Sequence, residues 1–226
     1  FPACKLMDPT RVPGICTAYG SVCRMCCRRF PRLPARLLAR FFHVLRVGLC
    51  QTDKSVPWII FDNCYNLYSL DLPGANVLLP YFLQGAKELL ASPAPPPAAV
   101  TSGKKKVVSF LCSVVCFPAH YPALRVPSMF NDGNAYTRDD VRNSVQHLLQ
   151  SALNTPALEP ECRSMAVWGL CVAVAEEFRA FDAERVRPLT MAILGCVGRE
   201  EPPVARTALA ALSHLAAYAP RMPVEL

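Results

Sequence analysis

The feature that most constrains this chain is a stripe of large apolar residues at helical spacing. Leu37, Leu38, Phe41, Phe42, Leu45 and Leu49 recur with a period near that of an α-helix, while Arg36, Arg40 and Arg46 fall off its centre. A stripe of this kind must be covered by other elements. The same pattern returns along most of the chain, so the covering elements are expected to be helices too. Pro34 suits the start of the first of these. Further helices are expected at about 56–67, 76–90, 107–117, 137–152, 159–179, 183–197 and 203–218. Thr137 and Asp140 form a T-x-x-D start, close to the capping box. Pro80 lies inside its segment and is expected to kink or divide it. Pro118 to Tyr136 reads as a long loop. The expectation is an all-α chain.

The last two helices, with their short link, read as an antiparallel pair. VARTALAAL is similar to the second helix of a HEAT repeat, with Leu209 expected to face inward beside Ala205, Leu212 and Ala216. Helix pairs of this type cannot bury their stripes alone and must stack. The expected architecture is a HEAT/armadillo-like helical solenoid segment. SPAPPPAAVTSGKKK breaks the pattern with prolines, small residues and a lysine triplet, which predicts a solvated connector. The division expected is 1–91 as basic helical repeats, 92–106 as linker and 107–226 as HEAT-like repeats.

Hydrophobic residues make up 52% of the chain and charged ones 18%, far from a disordered composition. No apolar run reaches the roughly 18 residues a membrane span needs, so no transmembrane segment is expected. The chain opens on Phe1 and reads as a piece of a longer protein. The net charge of +7 is uneven. Residues 1–60 carry ten Lys/Arg against only Asp8 and Asp53, whereas residues 107–226 are net acidic. Arg24, Arg28, Arg29, Arg32, Arg36 and Arg40 recur at steps of roughly four and make a candidate interaction ridge. Phosphate binding, on nucleic acid or a membrane surface, needs little more than such a ridge. Base stacking would need exposed aromatics beside it, yet Phe30, Phe41 and Phe42 fall where a core stripe wants them. The ridge therefore points first to a protein partner and not to nucleic acid.

The segment CRMCCRRF, Cys23 to Phe30, packs three of the twelve cysteines beside three arginines. A structural zinc site needs four ligands, and no second C-x-x-C accompanies Cys23-x-x-Cys26. A redox C-x-x-C would open a helix after a strand, and no such unit is present. The segment is expected to be a helix turn that buries its cysteines against Phe41 and Leu45. Cysteines set in apolar patterns predict free thiols and a reducing compartment. Phosphate-loop, nucleophile-elbow and zinc-protease motifs are missing from the sequence. His43, His120, His147 and His214 lack motif partners, and the adjacent acids Asp139/Asp140 and Glu176/Glu177 diverge on a helix. No catalytic, cofactor-binding or metal-binding residue is assigned, and no cofactor is expected.

RRFPRLPARLLARFFHVLRVGLCQTD, LYSLDLPGANVLLPYFLQGAKELLAS and VVSFLCSVVCFPAHYPAL resemble the alpha subunits of Ral GTPase-activating protein complexes, in the helical region upstream of the catalytic domain. WGLCVAVAEEF and VARTALAALSHLAAYAPR fit its continuation. The SPAPPP and KKK insert departs from the family pattern. The resemblance covers roughly residues 20–222. It implies a non-catalytic scaffold that works with a beta subunit to speed GTP hydrolysis on Ral-type small GTPases. The family's catalytic asparagine lies in a separate C-terminal domain, so none is carried over to this chain. The implied compartment is the cytoplasm, with the nucleus as a second one.

Overall fold

The computed structural model describes residues 9–27, 33–93, 100, 102–129, 134–155, 157–180, 182–199 and 201–218. The described chain is mostly helical, with α1 (Val12–Cys26), α2 (Ala35–Leu49), α3 (Ser55–Cys64), α4 (Leu79–Ala91), α5 (Gly103–Val114) and the short α6 (Phe117–His120). Then follow α7 (Arg138–Leu153), α8 (Pro160–Arg179), α9 (Ala183–Arg199) and α10 (Pro202–Tyr218). The strands β1 (Arg125–Pro127) and β2 (Ala135–Thr137) pair antiparallel, with Val126 opposite Tyr136. This small hairpin stands within the stretch expected to be a loop. No described helix is long and apolar enough to cross a membrane.

Helix starts follow from local chemistry. Prolines occupy the first turns of α4, α8 and α10, where their missing N–H costs nothing. Pro80 thus divides its segment and does not kink it, with the 3-10 turn Ala75–Leu78 before it and α4 opening on Leu79. The turn Pro73–Gly74 precedes it, and Gly74 takes a φ of 83°, a left-handed conformation that glycine adopts without strain. Thr137 and Asp140 close a full capping box at α7, each side chain bonded to the other's backbone N–H. Lys104, Lys105 and Lys106 lie in α5 and not in an extended connector. Lysine is a good helix former, and each of the three finds a partner. Lys104 Nζ donates to the Leu90 carbonyl at 2.9 Å, Lys105 to Glu161 at 2.5 Å, and Lys106 lies 3.5 Å above the Tyr65 ring.

The apolar stripe of α2 is buried through Leu38, Phe41, Phe42, Leu45 and Leu49, while Leu37 lies outside it. Residues 56–61 of α3 are buried on all sides, which makes α3 a central element. Phe61, Phe82 and Phe110, from α3, α4 and α5, meet with centroids 5.2–5.4 Å apart. Tyr68 and Phe117 extend this cluster. Helices before and after the proline-rich connector therefore share one core.

In α10 the inward face is Val204, Ala208, Ala211 and Leu215, and Leu209 is 52% exposed. The expected register was one residue off. Small residues face inward because α10 approaches α8 closely, so that Cys171 Sγ reaches the Ala211 carbonyl at 3.6 Å. Side chains of leucine size would hold the two backbones apart.

Candidate interaction surface

The candidate ridge does not run along one helix. Arg24 belongs to α1, and Arg36 and Arg40 belong to α2, after a break between the two. Arg28, Arg29 and Arg32 lie outside the described residues. Arg24 is engaged within the fold, donating to Asn63 Oδ1 at 3.3 Å and Ser21 Oγ at 3.4 Å. Arg36 and Arg40 are exposed. They share the outer surface of α2 with His43, Arg46 and the exposed aliphatics Leu37, Val44 and Val47. No acid occurs in α2, so every formal charge on this surface is positive. Phe41 and Phe42 are buried and cannot present rings to a base.

Along one flank of α2 runs an open cavity of about 550 Å³. Leu38 and Phe42 supply its floor, and Gly74, Val77 and Tyr81 supply the opposite wall. Arg46 and His43 stand on the α2 side, hydrogen-bonded to each other at 3.4 Å. The groove exists because the left-handed turn at Gly74 brings the 3-10 turn Ala75–Leu78 alongside α2. In the sequence this turn is the stretch LDLPGA. Its one signal for a groove was the Pro-Gly pair, which reverses the chain next to an exposed valine.

The acidic pairs have structural duties. Asp140 caps α7, Asp139 lies within ion-pair distance of Arg138 and Arg142, and Glu176 pairs with Arg179 at 2.6 Å. Glu177 is buried, accepts from Gln146 Nε2 at 2.5 Å and lies 3.6 Å from Arg142 Nε. His214 meets the Trp168 ring edge-on, with centroids 5.5 Å apart. Among the described residues no group of three or more His, Cys, Asp or Glu is arranged to hold a metal ion.

The cysteines of CRMCCRRF have a neighbour to which the sequence did not point. Cys27 Sγ donates to Cys64 Sγ at 3.4 Å, so α1 seats this end on α3. Cys23, Cys27 and Cys64 are all buried. Burial first, then the contacts with Cys23 and Cys27, push the Cys64 thiol well above its ordinary range. Sequence spacing gave no sign of this cluster, because its third member is 37 residues away on another helix. No protein-family description, no curated protein and no solved structure matches the chain.

Proposed function

We propose that this chain is a non-catalytic, protein-binding segment of HEAT/armadillo-like type. In this reading it belongs to the alpha subunit of a Ral-type GTPase-activating complex and supports GTPase activation together with a beta subunit. The observation that carries the binding role is the outer surface of α2. There Arg36, Arg40, His43 and Arg46 surround exposed aliphatics beside an apolar groove, with no acid in the helix. Exposed aliphatic groups interleaved with cations suit a partner segment that alternates acidic and apolar residues. The family assignment rests on the sequence resemblance alone.

The experiment is a binding titration of this chain against the beta subunit, with Arg36→Glu/Arg40→Glu and Val44→Asp as variants. The expected result is binding that each variant weakens by about tenfold or more. Unchanged binding by both variants overturns the assignment of the surface. A single-turnover assay on Ral-type GTPases is expected to show no acceleration by this chain alone, and clear acceleration would remove the scaffold reading.

The second reading is a nucleic-acid or membrane-surface module using the same arginines. Its signature is steep weakening with added salt, since released counterions drive phosphate binding. The buried state of Phe41 and Phe42 favours the protein partner, because no aromatic of α2 is left to stack on bases.

A further inference from the structure

Three thiols from two helices converge behind α1. Cys23 and Cys27 stand one helical turn apart and both face Cys64, the last residue of α3. Cys27 Sγ and Cys64 Sγ are 3.4 Å apart. Other thiols in the protein are used differently. Cys112, Cys171 and Cys196 direct their S–H groups to backbone carbonyls of Met165, Ala211 and Ala192. A thiol that faces another thiol has a chemistry that those lack. A disulfide forms at a sulfur separation of about 2.05 Å, so the Cys27–Cys64 pair must close by less than ~1.5 Å. Cys64 ends its helix and Cys27 follows the last residue of α1, so neither backbone is held in a helix interior. Cys27 is 9% exposed, whereas Cys23 and Cys64 are at 0%. An oxidant therefore meets Cys27 before it meets the other two.

We infer that Cys27 and Cys64 form a reversible disulfide staple between α1 and α3, with a small peroxide as the oxidant and Cys23 as the alternate partner of Cys64. The Cys27 sulfur attacks one peroxide oxygen and the O–O bond breaks. The product is a sulfenic acid, and the displaced oxygen leaves as water with the thiol proton. The Cys64 sulfur then attacks the sulfenic sulfur. The S–S bond forms, the S–O bond breaks, and the hydroxyl leaves as water with the Cys64 proton. Two thiols give up two electrons and two protons, and one peroxide becomes two waters. A small-molecule dithiol reverses the link by exchange. The raised thiol of Cys64 makes this reaction slow in comparison with that of an activated thiolate, so the site acts as an accumulating lock and not as a turnover catalyst. This inference does not depend on the proposed partner or on the family resemblance.

The test uses the full chain, reduced and folded, treated with hydrogen peroxide, then alkylated and digested with trypsin. Cleavage after Arg24 and Arg28 separates Cys23 from Cys27, and a Cys26→Ser background removes the neighbouring thiol. The expected product is Met25–Arg28 joined to Ser55–Lys87, at higher yield from folded protein than from protein unfolded in urea. The oxidised chain is expected to melt roughly 5–10 °C above the reduced one, because the link closes a long loop. Cys27→Ser is expected to redirect the link to Val12–Arg24, and Cys64→Ser to abolish both links. Should Cys64→Ser fail to fold, Cys27→Ser alone decides the point. Recovery of Cys27 and Cys64 unlinked from folded, oxidised protein overturns the inference. So does a yield no higher than in urea, or an unchanged melting temperature once the link has formed.

Discussion

Aspartate placed at two adjacent positions of α10 should have opposite consequences. Ala208 is fully buried against α8, whereas Leu209 is 52% exposed. Ala208→Asp puts a carboxylate into an apolar contact with no partner and forces extra atoms between close backbones. Burying the polar group costs several kcal/mol even when it stays protonated, and overpacking adds about 1–3 kcal/mol. The sum is at least about 4 kcal/mol, against a total stability of about 5–15 kcal/mol for a domain. Leu209→Asp loses part of one side chain's burial and some helix propensity, together about 1 kcal/mol. For a chain of this size each kcal/mol moves the melting temperature by about 2–4 °C. Ala208→Asp should therefore melt at least ~8 °C below the parent or lose its cooperative transition, and Leu209→Asp should fall by about 2–4 °C. Circular dichroism melts at one pH and one protein concentration measure both. The reverse order, with Leu209→Asp the more damaging, would refute the packing of α10 described above and restore the register that its leucines suggest.

Leu45→Ala, at a fully buried site of α2, should lose about 2–5 kcal/mol in urea titration, and parent-like stability would mean that α2 does not face a core. In native alkylation followed by mass spectrometry, the exposed Cys50 should label first among the cysteines of the described residues. Cys112 and Cys162 should label only on unfolding, since burial above all pushes both thiols up to about 11. Burial raises the Glu88 carboxyl, but hydrogen bonds from Lys54 and Gln84 and the charge of Lys54 outweigh it and hold the group below its ordinary value of 4.5. Its contribution is present above 4.5 and is lost as pH falls through the lowered folded value. Because both partners are more than a third exposed, Glu88→Gln should remove no more than about 1 kcal/mol of acid-sensitive stability, measured by urea titrations between neutral and acid pH.

What could be read in the sequence depended on how local its cause was. Thr137 with Asp140, and Pro34, act within one turn, so those helix starts were legible. The stripe of α2 was legible because its large residues leave one face to bury. α10 defeated the same reasoning. Its face is chosen by how near α8 comes, and size ranking puts leucine where alanine belongs. Lys104 to Lys106 looked like solvent-facing connector because their partners Leu90, Glu161 and Tyr65 lie elsewhere in the chain. Pro80 could be read as kinking its segment or dividing it, and the 3-10 turn that precedes α4 shows that it divides. On the candidate surface, Arg36 and Arg40 were legible as exposed cations. The groove beside them was not, since it arises only when a turn 30-odd residues later in sequence packs against α2.

The rings of Phe61, Phe82 and Phe110 sit on both sides of the proline-rich connector. The join between the two stretches is thus made of buried aromatic and aliphatic side chains, the kind of surface that obligate partners bury. In that sense the chain resembles two partners joined in one polypeptide, which makes their association intramolecular and gives it a high effective concentration. A protease cut in the connector would leave the two pieces bound through their aromatic rings. Evolution, or an engineer, is free to lengthen this stretch, or to insert a reporter or regulatory module in it, at a cost that grows only with the logarithm of the added length.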